Sequence, residues 1–272
     1  MSAKAVESIL FRATFEPEYR GCLLTDGKRA VQGFALTADE AATLQSLTPE
    51  MFYELVGGLV AHRLVPLRIA ERFVVASTGH RVDVAPDALP IYLGPHWAFG
   101  NGAHATTALA LTALSEHAQP GDTVLDVGTG TGILAIAAAR LGAASVLAFD
   151  KDPEAVEAAR QNVQLNGVES IVKVEQISVE AVLHTMANDQ APSWNVVVAN
   201  IIAPITLSLL NEGLARTVGS DGVLILSAVK PRELGAVYAH LRAAGLDIIH
   251  QNQRGGWSAV IARRLVRQNE PE

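Results

Sequence analysis

The stretch Val124-Leu-Asp-Val-Gly-Thr-Gly-Thr-Gly-Ile133 is an apolar run that breaks into three alternating glycines and resumes as a second apolar run. The first run, Thr123–Val127, predicts a strand buried on both faces, and Ile133–Leu141 predicts a helix. Between them, glycines at 128, 130 and 132 remove the β-carbons that would keep a ligand away from the backbone. Asp150 lies twenty residues after Gly130, at the end of the next predicted strand. A carboxylate there can accept hydrogen bonds from both hydroxyls of a ribose.

Two ligand classes share that layout. A dinucleotide site needs G-x-G-x-x-G, with the third glycine opening the helix beneath the pyrophosphate. Here Ile133 stands in that place. S-adenosylmethionine has no phosphate, and needs room for its methionine portion and a carboxylate for its ribose. The spacing G-x-G-x-G, with Asp126 two residues upstream, favours S-adenosylmethionine over a nicotinamide dinucleotide. This reading assigns Asp126, Gly128, Thr129, Gly130 and Asp150 to the cofactor. A tight strand–helix turn without a ligand would leave Asp150 and the second glycine as coincidences. No G-x-x-x-x-G-K-[ST] is present, so no Walker-type nucleotide site is indicated.

Outward from the loop the pattern is regular. Strands are predicted at 123–127, 145–149, 171–174, 195–199 and 223–227. Helices fall at 104–117, 133–141, 153–166, 179–187, 205–218 and 231–244. Strand and helix in strict turn predict a parallel sheet with helices on both faces. Asp247–Asn252 and Ser258–Arg264, separated by Gly255-Gly256, predict a closing antiparallel hairpin. The expected fold class is α/β: a doubly wound, seven-stranded, mostly parallel, Rossmann-like sheet over 104–265, with a small N-terminal α+β module over 1–85. In that module Ile9–Phe15 alternates like a strand, and Ile69–Ala76 reads as another. Thr37 with Glu40 forms a capping box opening a helix through Leu47, and Thr48-Pro49-Glu50 starts a further helix. Residues 86–103 are rich in Pro and Gly and read as a connector. Its apolar Ile91, Leu93, Trp97 and Phe99 predict that it packs against something.

Composition narrows the function. Of 272 residues 49% are hydrophobic and only 5% aromatic, which suits aliphatic helices packed on a parallel sheet. The net charge of −7 gives no footprint for nucleic acid. Cys22 is the single cysteine, so no intrachain disulfide is expected. The N-terminus lacks the pattern of a secretory signal, and no apolar run is long enough to span a bilayer. A cytoplasmic protein without membrane contact is expected.

Two further stretches flank the loop. Ala98-Phe-Gly-Asn-Gly-Ala-His-Ala-Thr-Thr107 precedes the first helix of the sheet domain, and Val197-Val-Ala-Asn-Ile-Ile-Ala-Pro204 ends its fourth strand. Ligands of open α/β sheets bind outside the C-terminal strand ends, where strand order reverses, which sets Asn200 over the cofactor. Taken together, Ala98–Thr107, Asp126–Leu134, Asp150 and Asn200–Ala203 resemble the PrmA family of class I methyltransferases, which modify the stalk-base protein of the large ribosomal subunit. The resemblance extends through the Gly255-Gly256-Trp257 hairpin to about Arg264. It implies cofactor contacts at Thr107, Gly128, Asp150 and Asn200, with Phe99, Gly100 and His104 nearby. It also implies N-methylation of lysine or α-amino groups on a protein, possibly ribosomal. The first 85 residues do not resemble the family's substrate-recognition domain. A small amine or peptide acceptor therefore stays open, as does a non-catalytic module that only binds S-adenosylmethionine.

Methyl transfer from a sulfonium needs alignment and an unprotonated acceptor. Asn200 is the candidate that accepts a hydrogen bond from the amine. Its alternative role is to cap the following helix. His104 is a candidate proton acceptor near neutral pH, or else orders the connector by hydrogen bonding. Trp97 and Trp257 either line the site or pack. No His/Cys/Asp/Glu cluster has metal-ligand spacing, so no metal is expected.

Overall fold

The computed structural model describes residues 2–49, 51–52, 67–77, 85, 87–94, 104–185 and 193–264. The chain divides into two compact units, Met1–Val65 with Pro95–Phe99 and Pro66–Gly94 with Gly100–Glu272.

The regular elements among the described residues of the first unit are helices: α1 (Ser2–Phe15), α2 (Pro17–Thr25), α3 (Gly27–Ala30) and α4 (Ala38–Gln45). Ile9–Phe15, expected as a strand, lies inside α1. Ile9, Leu10 and Ala13 are all buried, and a spacing of one and then three residues marks one helical face, which overrides the short alternation. With Leu23, Ala30, Val31, Leu44, Leu47 and Phe52 they form this unit's own core. The capping box holds: the Thr37 hydroxyl accepts the Glu40 amide at 3.2 Å and the Glu40 carboxylate accepts the Thr37 amide at 2.8 Å. Thr48 Oγ1 accepts the Met51 amide, as a helix start requires, while the expected helix beyond residue 52 lies outside the described residues.

The second unit begins with a three-stranded sheet: β1 (Leu67–Ile69), β2 (Phe73–Ser77) and β3 (Leu89–Leu93). The single strand expected at Ile69–Ala76 is a hairpin, because the chain turns through Ala70 and Glu71 at φ 51° and 58°. Neither residue is one of the usual left-handed types, so the turn has no signature in sequence. β3 runs parallel to β2 and occupies part of the stretch read as a connector. Ile91 and Leu93 are buried in the same core as the helices of the large sheet. The strands of the expected N-terminal α+β module thus belong to the second unit.

The large sheet is built as expected. In chain order it comprises α5 (Ala105–His117), β4 (Thr123–Val127), α6 (Ile133–Arg140), β5 (Ser145–Asp150), α7 (Pro153–Leu165), β6 (Val172–Gln176), α8 (Val179–Thr185), β7 (Trp194–Asn200), α9 (Ala203–Glu212), β8 (Val218–Val229), α10 (Leu234–Ala243), β9 (Leu246–Arg254) and β10 (Trp257–Arg264). Spatial order is β6-β5-β4-β7-β8-β10-β9, parallel through β8 and antiparallel at β10 and β9. Successive strand residues feed opposite cores: Val124, Val146, Val196 and Ile225 one, Leu125, Phe149, Val197 and Leu224 the other. A sheet covered on both faces reads as continuous apolar runs for this reason. β4 has β5 on one side and β7 on the other, so strand order reverses beside the end of β4. The crevice for a ligand therefore opens above β4, β5 and β7.

Candidate active site

The glycine loop leaves β4 with Gly128, Gly130 and Gly132 at φ 67°, 56° and 80°. A β-carbon on Gly128 would stand 2.7 Å from Cδ1 of Ile201, the residue after Asn200. The loop and the end of β7 come this close because residue 128 has no side chain. Gly132 sits at the N-terminus of α6, and a β-carbon there would meet Ala159 of α7 at 3.2 Å.

Two carboxylates fasten the loop. Asp126, on β4, is fully buried. Its Oδ2 accepts the Thr129 hydroxyl at 2.6 Å and the Ala135 amide at 3.1 Å. Its Oδ1 is buried with no partner among the described residues. Burial pushes the Asp126 carboxyl up to about 7, against the two hydrogen bonds that lower it and with a smaller upward contribution from Asp150. Asp150, at the end of β5, accepts the Gly130 amide on Oδ2 and the Asp152 amide on Oδ1, each at 3.1 Å. A carboxylate offers about four acceptor sites, so roughly half of its capacity stays open for donors from a ligand.

Asn200 ends β7 across the crevice. Its Nδ2 donates to Thr107 Oγ1 at 3.3 Å, and its Oδ1 is buried without a hydrogen-bond partner among the described residues. Asn200 does not cap α9: the N-cap is Ile202, and Pro204 fills the first turn. Thr107 is itself buried, in the first turn of α5. That turn is tied to β8 as well, since Ser227 Oγ donates to the Thr106 carbonyl at 2.8 Å. The next residue, Ala228, holds a left-handed φ of 62°, strain of roughly 1–2 kcal/mol for a residue with a β-carbon.

His104 caps α5, accepting the Thr106 amide on Nδ1 at 3.3 Å, with Thr106 Oγ1 at 2.8 Å from the same nitrogen. Partial burial, and secondarily the Lys230 ammonium, hold its pKa below the ordinary imidazole value. A neutral ring accepting on Nδ1 carries its proton on Nε2, which favours the ordering role over proton abstraction. Trp257 packs edge-on to His104 with centroids 5.6 Å apart, and Lys230 Nζ lies 3.3 Å from the Trp257 ring centroid.

The structure therefore brings Asp126, Gly128, Thr129, Gly130 and Asp150 together in one loop assembly, and Thr107, His104 and Asn200 in a second at the start of α5. Phe99, Gly100 and Trp97 lie outside the described residues. Sequence reasoning passed over Lys230, Asn162 and the tie that Ser227 makes to Thr106. Asn162 had a visible signal, a polar residue on the apolar face of α7. Among the described residues no group of three or more His, Cys, Asp or Glu could hold a metal ion.

The sequence profile described as "Ribosomal protein L11 methyltransferase (PrmA)" matches residues 60–265. The chain belongs to the PrmA family. A relative from Listeria monocytogenes named ribosomal protein L11 methyltransferase is 38% identical over 201 residues, 74% of this chain and 62% of that protein. A Bacillus cereus relative of the same name is 40% identical over 199 residues, 73% of this chain and 61% of that protein. The chain thus spans less than two thirds of the length of these PrmA relatives. A crystal structure of a ribosomal protein L11 methylase from Lactobacillus delbrueckii subsp. bulgaricus superposes with a TM-score of 0.65 at 32% identity, covering 74% of this chain and 98% of that one. The second unit accordingly has the fold of a class I methyltransferase.

Proposed function

We propose that this protein is a cytoplasmic S-adenosylmethionine-dependent N-methyltransferase acting on lysine or α-amino groups of a protein, with a ribosomal protein the leading candidate acceptor. The observation that carries the reading is Asp150. Its carboxylate is oriented by two backbone amides, retains free acceptor capacity, and stands beside a loop with glycine at every second position. S-adenosylmethionine is the cofactor, and the residues fit it. The open lone pairs of Asp150 suit two ribose hydroxyls. The orphaned Oδ1 of Asn200 suits a donor that arrives from outside the protein, because a buried acceptor left unpaired costs about 1–3 kcal/mol. Bound, the cofactor supplies an electrophilic methyl group on a sulfonium whose leaving group is a neutral thioether.

The chain's own residues do the rest. Gly128, Gly130 and Asp150 bind the nucleoside. Asp126 and Thr129 hold the loop's shape from beneath it. Asn200, steadied by Thr107, accepts a hydrogen bond from the acceptor amine and directs its lone pair. His104 fixes the first turn of α5, and Phe99 and Gly100 are further candidate cofactor contacts by their place in the stretch Ala98–Thr107 alone. The acceptor must arrive deprotonated, since a lysine ammonium has no lone pair, and desolvation favours that neutral form.

A second reading, a small amine or peptide as acceptor, is supported by the family match starting at residue 60, so that α1–α4 lie outside it. Incubation with methyl-labelled cofactor, ribosomal extract and a panel of small amines separates the readings. One labelled ribosomal band is expected. Label only in small amines would support the second reading, and binding without transfer to any acceptor would reduce the protein to a binding module.

A further inference from the structure

Three consecutive loop residues are each tied to a different side chain. Thr129 is held by Asp126 and Gly130 by Asp150, both on strands. Thr131 is held by a helix: its carbonyl accepts Nδ2 of Asn162 on α7 at 2.8 Å. Asn162 is fully buried, on the face of α7 that also buries Ala155, Ala158, Ala159 and Val163. Its Oδ1 accepts the amide of Gly94, the residue after β3, at 2.7 Å. One amide thus joins the glycine loop to the chain leaving the small sheet, just ahead of the stretch Ala98–Thr107. One turn later Asn166 joins only β3 to α7. Its Oδ1 accepts the Tyr92 amide at 2.9 Å, and its Nδ2 donates to the Tyr92 carbonyl at 2.7 Å and the Asn162 carbonyl at 2.8 Å.

We propose that Asn162 is a positioning residue for the nucleoside site, setting the spacing between the glycine loop and the chain that leaves β3, so that ligand affinity depends on the small sheet. The proposal rests on the functional reading above. Removing the Asn162 amide takes a hydrogen-bond partner from the buried Thr131 carbonyl, in the loop, and from the half-buried Gly94 amide. Removing the Asn166 amide strands groups of β3 and α7 only.

The pair of alanine variants separates loop positioning from general stability. Asn162→Ala and Asn166→Ala should each lower the melting temperature. In calorimetric titration with S-adenosylhomocysteine, Asn162→Ala should bind about tenfold more weakly or worse, and Asn166→Ala should stay within about threefold of the parent. Equal losses in both variants, or no loss in Asn162→Ala, would overturn the proposal. If Asn162→Ala does not fold, Asn162→Asp carries the same test. It keeps an acceptor for Gly94 and sets a carboxylate oxygen against the Thr131 carbonyl, so it too should lose affinity, and parental affinity would overturn the proposal. A parent protein that binds no S-adenosylhomocysteine at all would refute the functional reading and the proposal with it.

Discussion

At the scale of single residues, Asp126 is a buried carboxylate whose hydrogen-bond partners, the Thr129 hydroxyl and the Ala135 amide, are neutral donors. Its pKa rises from an ordinary 3.8 to about 7 on folding, so between those values the native state holds a proton that the unfolded chain has released. Stability contributed by this group is therefore full below pH 4 and declines as pH rises toward 7. Asp126→Asn should flatten that part of the profile, which denaturant unfolding at a series of pH values would measure. An unchanged slope would mean that the carboxyl stays ionised in the fold. Across the crevice, Asn200→Ala should lower kcat by roughly 10²-fold while cofactor affinity and melting temperature change less, because the lost group orients the acceptor. Near-normal turnover would remove Asn200 from the mechanism. The residues of both assemblies were legible because each lies in a local motif: a glycine loop, an acidic strand end, a strand-terminal asparagine. For Asn162 and Ser227 only the residue type was visible, as a polar side chain among apolar neighbours, and not the partner. They bond across 31 and 121 residues, and such pairings leave no periodicity in the chain.

At the scale of elements, the loop works because α7 packs directly beneath it. Gly132→Ala would force a left-handed φ of 80° on a residue with a β-carbon and press that carbon to 3.2 Å from Ala159. The substitution should destabilise the protein by about 1–3 kcal/mol, read as a lowered denaturation midpoint. Parental stability would show that the loop can back away from α7. The strands and helices of the large sheet were readable because both of its faces are covered, so its central strands β4, β5, β7 and β8 carry nearly continuous apolar runs. β3 was hidden by Pro90 inside it and Pro95 beyond its end, which read as breakers. At an edge strand a proline costs no ladder bond when its nitrogen faces away. The first helix was hidden by a short alternation that the buried spacing of Ile9, Leu10 and Ala13 overrules.

At the scale of the whole molecule, two cores with different fates in sequence sit in one chain. The second unit carries the family match and the site, while α1–α4 form a separate helical core that no motif identifies. On the proposed function, the crevice of the second unit takes a sulfonium nucleoside and rejects a dinucleotide. Calorimetric titration of the intact protein with S-adenosylhomocysteine and, separately, with NAD tests it most directly. One saturable site for S-adenosylhomocysteine and no heat from NAD is the predicted result. Preferential binding of NAD, or binding of neither, would rule out a sulfonium-nucleoside site.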